Sequence, residues 1–575
     1  MGYQEDWARV EEVIDEASGK VYLPPCQIAC PLGSNIQRIH AMIALLPPDA
    51  QEASSQIIKI GDEICEKNPL FPICSYICGL CEKECNYKDQ TGAIRRMLVM
   101  RFIADNYLPY LETKPSLPSP TKEKVAVVGA GPGGFMCAYL LTKKGYRVTI
   151  LERSSELGGA LRYIPRYRLP RKIMDASLKS LVRIAHIEVK LGVKVGNGGK
   201  TLDDLKNEGY QAIFIATGTP IPQPLTIERE RVAGQDSEGV MFGLSLLSDV
   251  NQGKVPPHLF QGKRVIVVGG GNVAFDVARS ARRLGGEVSI VCLECDDKCS
   301  QNGIPADVEE IEGAKEEGIG ITYRRGIGEV IGEDGKFKKI KCPRCISVFD
   351  KSGFNPKLDR SDVIYLEGDM LLVTIGQAPE QAFFQQEGLL DEKGMLDTDQ
   401  LTLMSNLKEG AFIGGDVRRV GFAADAMRDG MIAAESIDRY LRGEDLKARV
   451  KKEFESAPIP RRMDYKLQPQ LIWAPAEERL DFEPFEKGFT LEEAVKEARR
   501  CLYCGPCKSC KACVALGLQS EIPPIEVNQD ICSGCGICVA VCGYDAIKVV
   551  QSNNGLVSVI DDLKCKRCGV CSAAC

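Results

Sequence analysis

Lys124-Val125-Ala-Val-Val128, Gly129-Ala130-Gly131-Pro-Gly-Gly134, Phe135 to Lys144 and Arg147-Val-Thr-Ile-Leu151-Glu152 follow one another directly. They read as strand, glycine turn, helix and strand, the opening of a doubly wound α/β sheet. Gly129, Gly131 and Gly134 permit the tight turn and let the backbone approach a pyrophosphate. Ala130 and its neighbours offer N–H groups at the helix N-terminus. Glu152 stands 23 residues after Gly129, where a carboxylate accepts from ribose hydroxyls. These elements in register predict a dinucleotide site.

The pattern returns further on. Arg264-Val-Ile-Val-Val268 is a strand, and Gly269-Gly-Gly271-Asn272-Val273-Ala274 is a G-x-G-x-x-A turn. Phe275 to Leu284 reads as its helix and Glu287 to Leu293 as the next strand. Two βαβ units in one chain predict two Rossmann-like doubly wound nucleotide-binding domains, an α/β fold. The 575 residues leave room for about three to five domains.

Composition narrows the rest. Hydrophobic residues make up 44% and charged residues 26%, ordinary for a globular protein. A net charge of −6 argues against a nucleic-acid binder. The 26 cysteines beside 3 histidines exclude histidine-rich metal chemistry. Seven cysteines lie between Cys26 and Cys85, six between Cys137 and Cys345, and thirteen between Cys501 and Cys575. A secreted disulfide scaffold is small and cysteine-dense throughout, so clustered thiols in a chain this long read as metal ligands in a reducing cytoplasm. The first 20 residues lack the apolar core of a secretory leader, and no run of about 18 apolar residues would span a membrane.

Cys532-x2-Cys535-x2-Cys538-x3-Cys542 and Cys565-x2-Cys568-x2-Cys571-x3-Cys575 have the spacing of a two-cluster ferredoxin. There the fourth cysteine of each run ligates the other cluster. Cys532, Cys535, Cys538 and Cys575 are therefore expected on one [4Fe–4S] cluster, and Cys565, Cys568, Cys571 and Cys542 on the other. Gly543 stands where that spacing usually has proline. A ligand at the last residue would sit beside a free carboxylate, an odd arrangement that leaves open whether the natural chain continues. Upstream, Cys501, Cys504, Cys507, Cys510 and Cys513 recur at strict x2 spacing and predict one further [4Fe–4S] cluster. In the second nucleotide domain Cys295, Cys299, Cys342 and Cys345 read as free thiols rather than a metal site, and Cys137 as core.

Beyond these patterns, Glu152-Arg153 and Gly158-Gly159-Ala-Leu-Arg-Tyr-Ile164-Pro165-Arg-Tyr-Arg168-Leu169-Pro170 resemble the glutamate synthase small-chain flavoprotein family. So do Ala216-Thr217-Gly218, Thr374-Ile375-Gly376-Gln377-Ala-Pro379 and Ala411-Phe-Ile-Gly414-Gly415-Asp416 before Met427 to Ala434. Relatives include the flavin domains of dihydropyrimidine dehydrogenase and of NADH-dependent ferredoxin:NADP oxidoreductases. The resemblance spans residues 26–450. It implies FAD at the first glycine turn, with Asp416 on the ribityl chain, and a nicotinamide nucleotide in an inserted domain at the second. Members that prefer NADP follow the second strand with Tyr-Arg-Arg. Here Cys292-Leu293-Glu294 stands in that place. A carboxylate there accepts from a free 2′-OH and repels a 2′-phosphate, so NADH is expected over NADPH. The competing reading has Glu294 in solvent and Arg279, Arg282 or Arg283 on the phosphate. Tyr163 replaces a glycine usual in the family.

Cys26-x3-Cys30-Pro31 and Cys74-x3-Cys78-x2-Cys81-x3-Cys85 resemble the family's N-terminal cysteine groups, which carry one or two [4Fe–4S] clusters. The family's earlier C-x2-C is missing. Arg500-Cys501-Leu-Tyr-Cys504 resembles it, so the C-terminal segment is a candidate to fold back and complete an N-terminal cluster. Cys65 is another candidate.

The expected organisation begins with a helical iron–sulfur domain (1–115). An FAD domain in two segments (116–258 and 366–455) follows, with an NAD(P)H domain (259–365) inserted between them. A connector and helix (456–500) and a ferredoxin-like α+β domain (501–575) complete it. The expected function is an NADH:acceptor oxidoreductase subunit. It would pass hydride from NADH to FAD, then single electrons through clusters to a partner subunit or a soluble ferredoxin at the ferredoxin-like end, or the reverse. Three other readings stay open: an electron-bifurcating subunit, a glutamate synthase small subunit, and a non-catalytic scaffold.

Overall fold

A computed structural model describes residues 14–15, 20–227, 230–297, 300–351, 353–448, 454–456, 467–505, 510–515, 525–552 and 555–575. Cys299 and Cys507 lie outside the described residues.

Two five-stranded parallel sheets form the centre. The first runs Ala411–Ile413, Tyr210–Ile215, Lys124–Val128, Arg147–Glu152, Glu188–Leu191. Its middle strand is fully buried from Val125 to Val128, as a parallel strand covered on both faces must be. The chain leaves that strand to one side and returns on the other. This makes a crevice at the carboxyl ends where a ligand binds. The second sheet runs Val240–Phe242, Met370–Val373, Arg264–Val268, Glu287–Val291, Gly320–Thr322. It therefore reaches beyond the expected limits of 259 and 365. Val240–Phe242 and Met370–Val373 pair with each other, and neither carries a glycine turn to mark it. A hairpin of two 15-residue strands, Lys336–Asp350 and Gly353–Glu367, projects from this domain.

The N-terminal region is helical as expected, with Ile36–Ala44, Ala50–Lys67 and Arg96–Thr113 packed on one another. Its core also takes in a helix from far along the chain: Ala494 and Ala498 of Leu491–Arg500 are fully buried in it. Thr490 caps that helix, its side chain accepting from Glu493 N while Glu493 accepts from Thr490 N, the reciprocal box its sequence spells. The helix thus belongs to the N-terminal core rather than to a separate connector. At the far end, Ile537–Val541 and Val570–Ala574 pack together over the hairpin Ile547–Ser552/Gly555–Ile560.

Among the described residues no helix is long and apolar enough to cross a membrane.

Candidate functional site: two nucleotide clefts and their cysteine groups

At the first glycine turn each glycine has a separate reason. Gly129 has φ +108°, and a Cβ there would lie 2.4 Å from the Ala216 carbonyl oxygen. A Cβ on Gly134 would meet the Gly129 carbonyl oxygen at 2.1 Å. Gly131 faces open space, the side from which a pyrophosphate can approach. Gly159, at φ +54°, backs onto Gly131, where its Cβ would come 2.9 Å from the Gly131 Cα. Thr217 and Gly218 follow the strand Tyr210–Ile215 beside this turn. Glu152 Oε2 accepts from Ala130 N at 2.8 Å and Oε1 from Ser154 N at 2.8 Å, so the carboxylate is held at the turn.

The helix Ala423–Leu441 contains the Met427 to Ala434 segment, and it crosses Pro132–Lys143 backbone to backbone. A Cβ on Gly430 would stand 2.2 Å from the Gly133 carbonyl oxygen, and one on Gly133 2.8 Å from the Ala426 carbonyl oxygen. Gly415 N donates to Asp429 Oδ2 at 2.9 Å, which seats Asp416 beside the N-terminus of that helix. Two helix N-termini and their positive dipole ends thus serve one crevice. Burial pushes the Asp416 carboxyl up to about 6, with Asp425 and Asp429 adding to the rise. A carboxyl whose folded pKa exceeds its unfolded value of about 3.9 costs stability above that window. The cost is absent below about pH 4, grows towards pH 6 and stays constant beyond. Asp416→Asn should therefore stabilise the flavin-free chain at pH 7 by roughly 1–2 kcal/mol, the partial exposure of the group discounted, and leave it unchanged at pH 4. Denaturant midpoints at the two pH values check this.

Two family-derived positions lead elsewhere. Arg153 pairs with Glu380 at 3.3 Å. Arg168 donates to both oxygens of Asp276 at 2.9 Å and pairs with Glu310. It thus joins the FAD domain to the second domain's first helix instead of facing the crevice. Tyr163 packs against the core of the second nucleotide domain.

The second turn opens on a cleft of about 1210 Å³, lined by Gly269 to Val273, Glu294, Arg325 and Gly376 and overhung by Phe354 from the long hairpin. Gly269, at φ +138°, presses on Thr374, whose Oγ1 would be 2.5 Å from a Cβ there, while Gly271 is open. Asn272 is bound to Asp307, Nδ2 donating to Oδ2 at 3.0 Å. The Glu294 carboxylate lies over the turn, its Oε2 2.5 Å from where a Gly270 Cβ would be, and burial raises its pKa. Arg279 and Arg283 are buried on the far side of the helix Asn272–Arg283. Arg279 is bound to Glu310 and Glu317, and Arg283 to Glu317. Arg282 donates to the carbonyl oxygens of Glu317 and Gly286.

No disulfide joins the described cysteines, and no three of the described His, Cys, Asp or Glu side chains close around a single metal ion. A cubane cluster is larger than one ion, and its ligands stand apart around it. Burial is the main cause of the raised pKa of Cys74 (about 12), Cys78 and Cys81, and Cys30 raises each further. These four thiols form one group, packed at the core edge of the FAD domain through Cys30, Cys74 and Cys78. Lys83, between Cys81 and Cys85, lies 5.4 Å from the ring centroid of Phe422, which opens the flavin-side helix. Cys26, Cys81, Cys85, Cys501 and Cys504 line a second cavity. Cys510 neighbours Cys513 and hydrogen-bonds Gln37 at the wall of this cavity, but neither Cys510 nor Cys513 is among the cavity's lining residues. Cys65 is buried against Tyr107, away from both groups. Sequence reasoning missed His40, which lines the same cavity; a lone histidine in an apolar helix gives no signal.

In the ferredoxin-like end, backbone N–H groups converge on sulfur: Ser558 N on Cys532 Sγ at 3.3 Å, Ala546 N on Cys542 Sγ at 3.4 Å, Arg567 N on Cys565 Sγ at 3.4 Å. Gly536 and Gly569 take the same left-handed turn, φ +75° and +76°, after Cys535 and Cys568. The two runs thus repeat in structure as in spacing. Donors aimed at thiolates tune and hold a cluster, so the residues present fit one.

A family model of pyridine nucleotide-disulphide oxidoreductases matches residues 123–430, and a 4Fe-4S binding-domain model matches residues 525–548. The β subunit of the NADP(+)-dependent formate dehydrogenase of Moorella thermoacetica is 31% identical over 535 residues, covering 85% of this chain and 72% of its own. The NADPH-Fe(3+) oxidoreductase subunit β of Geobacter sulfurreducens is 28% identical over 550 residues, covering 86% and 76%. The glutamate synthase [NADPH] small chain of Halomonas elongata is 28% identical over 438 residues, covering 73% and 88%. With its glycine turns, its cysteine runs and these matches, the chain belongs to the pyridine nucleotide-disulphide oxidoreductase family, as an NAD(P)H-dependent iron–sulfur flavoprotein of the glutamate synthase small-chain type.

Proposed function

We propose that this chain is the NADH-oxidising subunit of a larger enzyme and that its ferredoxin-like end meets the partner subunit. FAD, when bound, accepts a hydride pair and releases electrons singly, the form in which [4Fe–4S] clusters carry them. Gly129 to Gly134, Glu152 and Asp416 would hold the flavin, and Gly269 to Val273 with Gly376 the nicotinamide nucleotide.

The observation that carries the NADH reading is the Glu294 carboxylate over the second glycine turn. It suits a free 2′-OH, and Arg279, Arg282 and Arg283, the arginines of the competing reading, are bound elsewhere. The relatives' names are NADP-linked, so this reading separates the chain from them. NADH at limiting concentration should bleach the flavin absorbance at least about tenfold faster than NADPH, a discrimination of about 1.4 kcal/mol, and Glu294→Ser should shrink the ratio. Faster bleaching by NADPH would sink the reading.

Docking at the ferredoxin end is supported by the apolar side chains exposed around its cysteines, Ile531 at 79%, Ile537 and Leu556. Apolar surface beside a redox centre suits a protein partner. The relatives named as β subunits or small chains support a multi-subunit setting.

A further inference from the structure

The cavity lined by Cys26, Cys85, Cys501 and Cys504 is built from both ends of the chain. Helix Leu491–Arg500 packs on Ile36–Ala44 and brings the loop after it to the N-terminal domain. Arg95 N donates to Glu497 Oε1 at 2.7 Å, and Arg500 Nη2 to the Gly92 carbonyl oxygen at 2.6 Å. Gly505 fits so tightly that a Cβ would meet Gln37 Oε1 at 2.6 Å and Pro24 Cδ at 2.8 Å. Asn86 Nδ2 donates to Cys504 Sγ at 3.2 Å.

The cavity's polar wall is unsatisfied. His40 is 1% exposed and neither ring nitrogen has a hydrogen-bond partner; Arg96 is 7% exposed and its Nη1 has none. Buried donors left unpaired are costly, and a guanidinium beside thiols calls for an anionic occupant with acceptor atoms. Cys81 also touches the cavity and neighbours Cys26, but its other thiol neighbours are Cys78 and Cys30, whereas Cys85 neighbours Cys501 and Cys504, as Cys26 does.

We infer that Cys26, Cys85, Cys501 and Cys504 ligate one [4Fe–4S] cluster held jointly by the two ends of the chain, with His40 and Arg96 facing its sulfurs, and that it is the electronic joint between the flavoprotein and the ferredoxin-like module. The joint is physical as well. Lys566, inside the second ferredoxin run, donates to the carbonyl oxygens of Tyr503, at 2.7 Å, and of Gly505. The Cys565 run therefore abuts the Cys501 loop. Oxidation of NADH yields NAD⁺, a proton and two electrons; the electrons cross this joint one at a time and the proton leaves at the flavin. The electron route rests on the function proposed above, whereas the ligand set does not.

Iron content and electron paramagnetic resonance of the dithionite-reduced full chain decide it. C26S/C85S and C501S/C504S should each lose four irons per chain and the same resonance signal, and the quadruple variant should lose no more, as non-additivity within one unit requires. Retained FAD is the fold control. His40→Leu removes no ligand; it should keep all iron and shift the midpoint potential of that one signal downward, because a donor to cluster sulfur is gone. Loss of eight irons in the quadruple variant, different signals lost by the two pairs, unchanged iron in C501S/C504S, or an unmoved potential in His40→Leu would each overturn the assignment. A flavin that NADH cannot bleach in the intact chain would defeat the proposed function and leave the iron and resonance counts as they stand.

Discussion

Glu317→Gln should destabilise the second nucleotide domain by about 3–5 kcal/mol, the cost of breaking a buried ion pair from one side. Glu317 Oε1 accepts from Arg279 Nη2 and Oε2 from Arg283 Nη1, both at 2.7 Å, and all three side chains are at most 3% exposed. Burial alone would raise the Glu317 pKa, but its hydrogen bonds to Arg283 and Arg279 hold it below the usual range. The amide keeps the volume and loses the charge, so of Glu310 and Glu317, the two carboxylates bound to these guanidiniums, only Glu310 would remain charged, beside the ring faces of Tyr167 and Phe485. The same network reaches Arg168 in the FAD domain and the Asp481 carbonyl oxygen in the connector. Denaturation should then begin at the join between the two nucleotide domains. Urea unfolding followed by fluorescence suits the test, since Trp473 meets Phe485 edge to face and Arg479 lies over its ring. A midpoint change worth less than about 1 kcal/mol, the scale of a surface pair, would refute the network's structural weight.

Gly430→Val should empty the flavin site. The added Cβ would lie 2.2 Å from the Gly133 carbonyl oxygen, 3.0 Å from Met136 Cβ and 3.1 Å from Cys137 N. None of these is the far end of a flexible side chain, so two helices must separate. Overpacking of this kind costs about 1–3 kcal/mol or more. The separation also tilts the N-terminus of Ala423–Leu441 away from the Gly131 crevice. Purified protein should carry less than about a tenth of the parent's FAD, since 1.4 kcal/mol is tenfold in affinity. Parent-like FAD content would show that the helix crossing does not set the site.

The legible stretches of this chain were those whose chemistry demands a fixed spacing. Gly129, Gly134 and Gly269 each stand where a side chain would strike backbone or Thr374, and Thr490 with Glu493 spelled a helix start. The Cys532 and Cys565 runs likewise repeat in structure. What escaped was pairing between distant segments. Val240–Phe242 and Met370–Val373 are three and four residues long, too short for periodicity to place. Arg168 carries a charge that either a phosphate or Asp276 could satisfy, and only the fold shows that it is bound to Asp276. His40 and Arg96 sit on helices whose patterns say only that they face inward.

The helix Leu491–Arg500 completes the core of a domain that begins near residue 24. A ribosome that makes about 5–20 residues per second needs roughly 20–80 s to travel from Thr113 to Arg500. Throughout that interval Ile39, Met42 and Ile43, buried in the finished core, wait without their final cover. The first domain to be synthesised is therefore among the last to close, and the proposed joint cluster would be assembled only after synthesis of nearly the whole polypeptide.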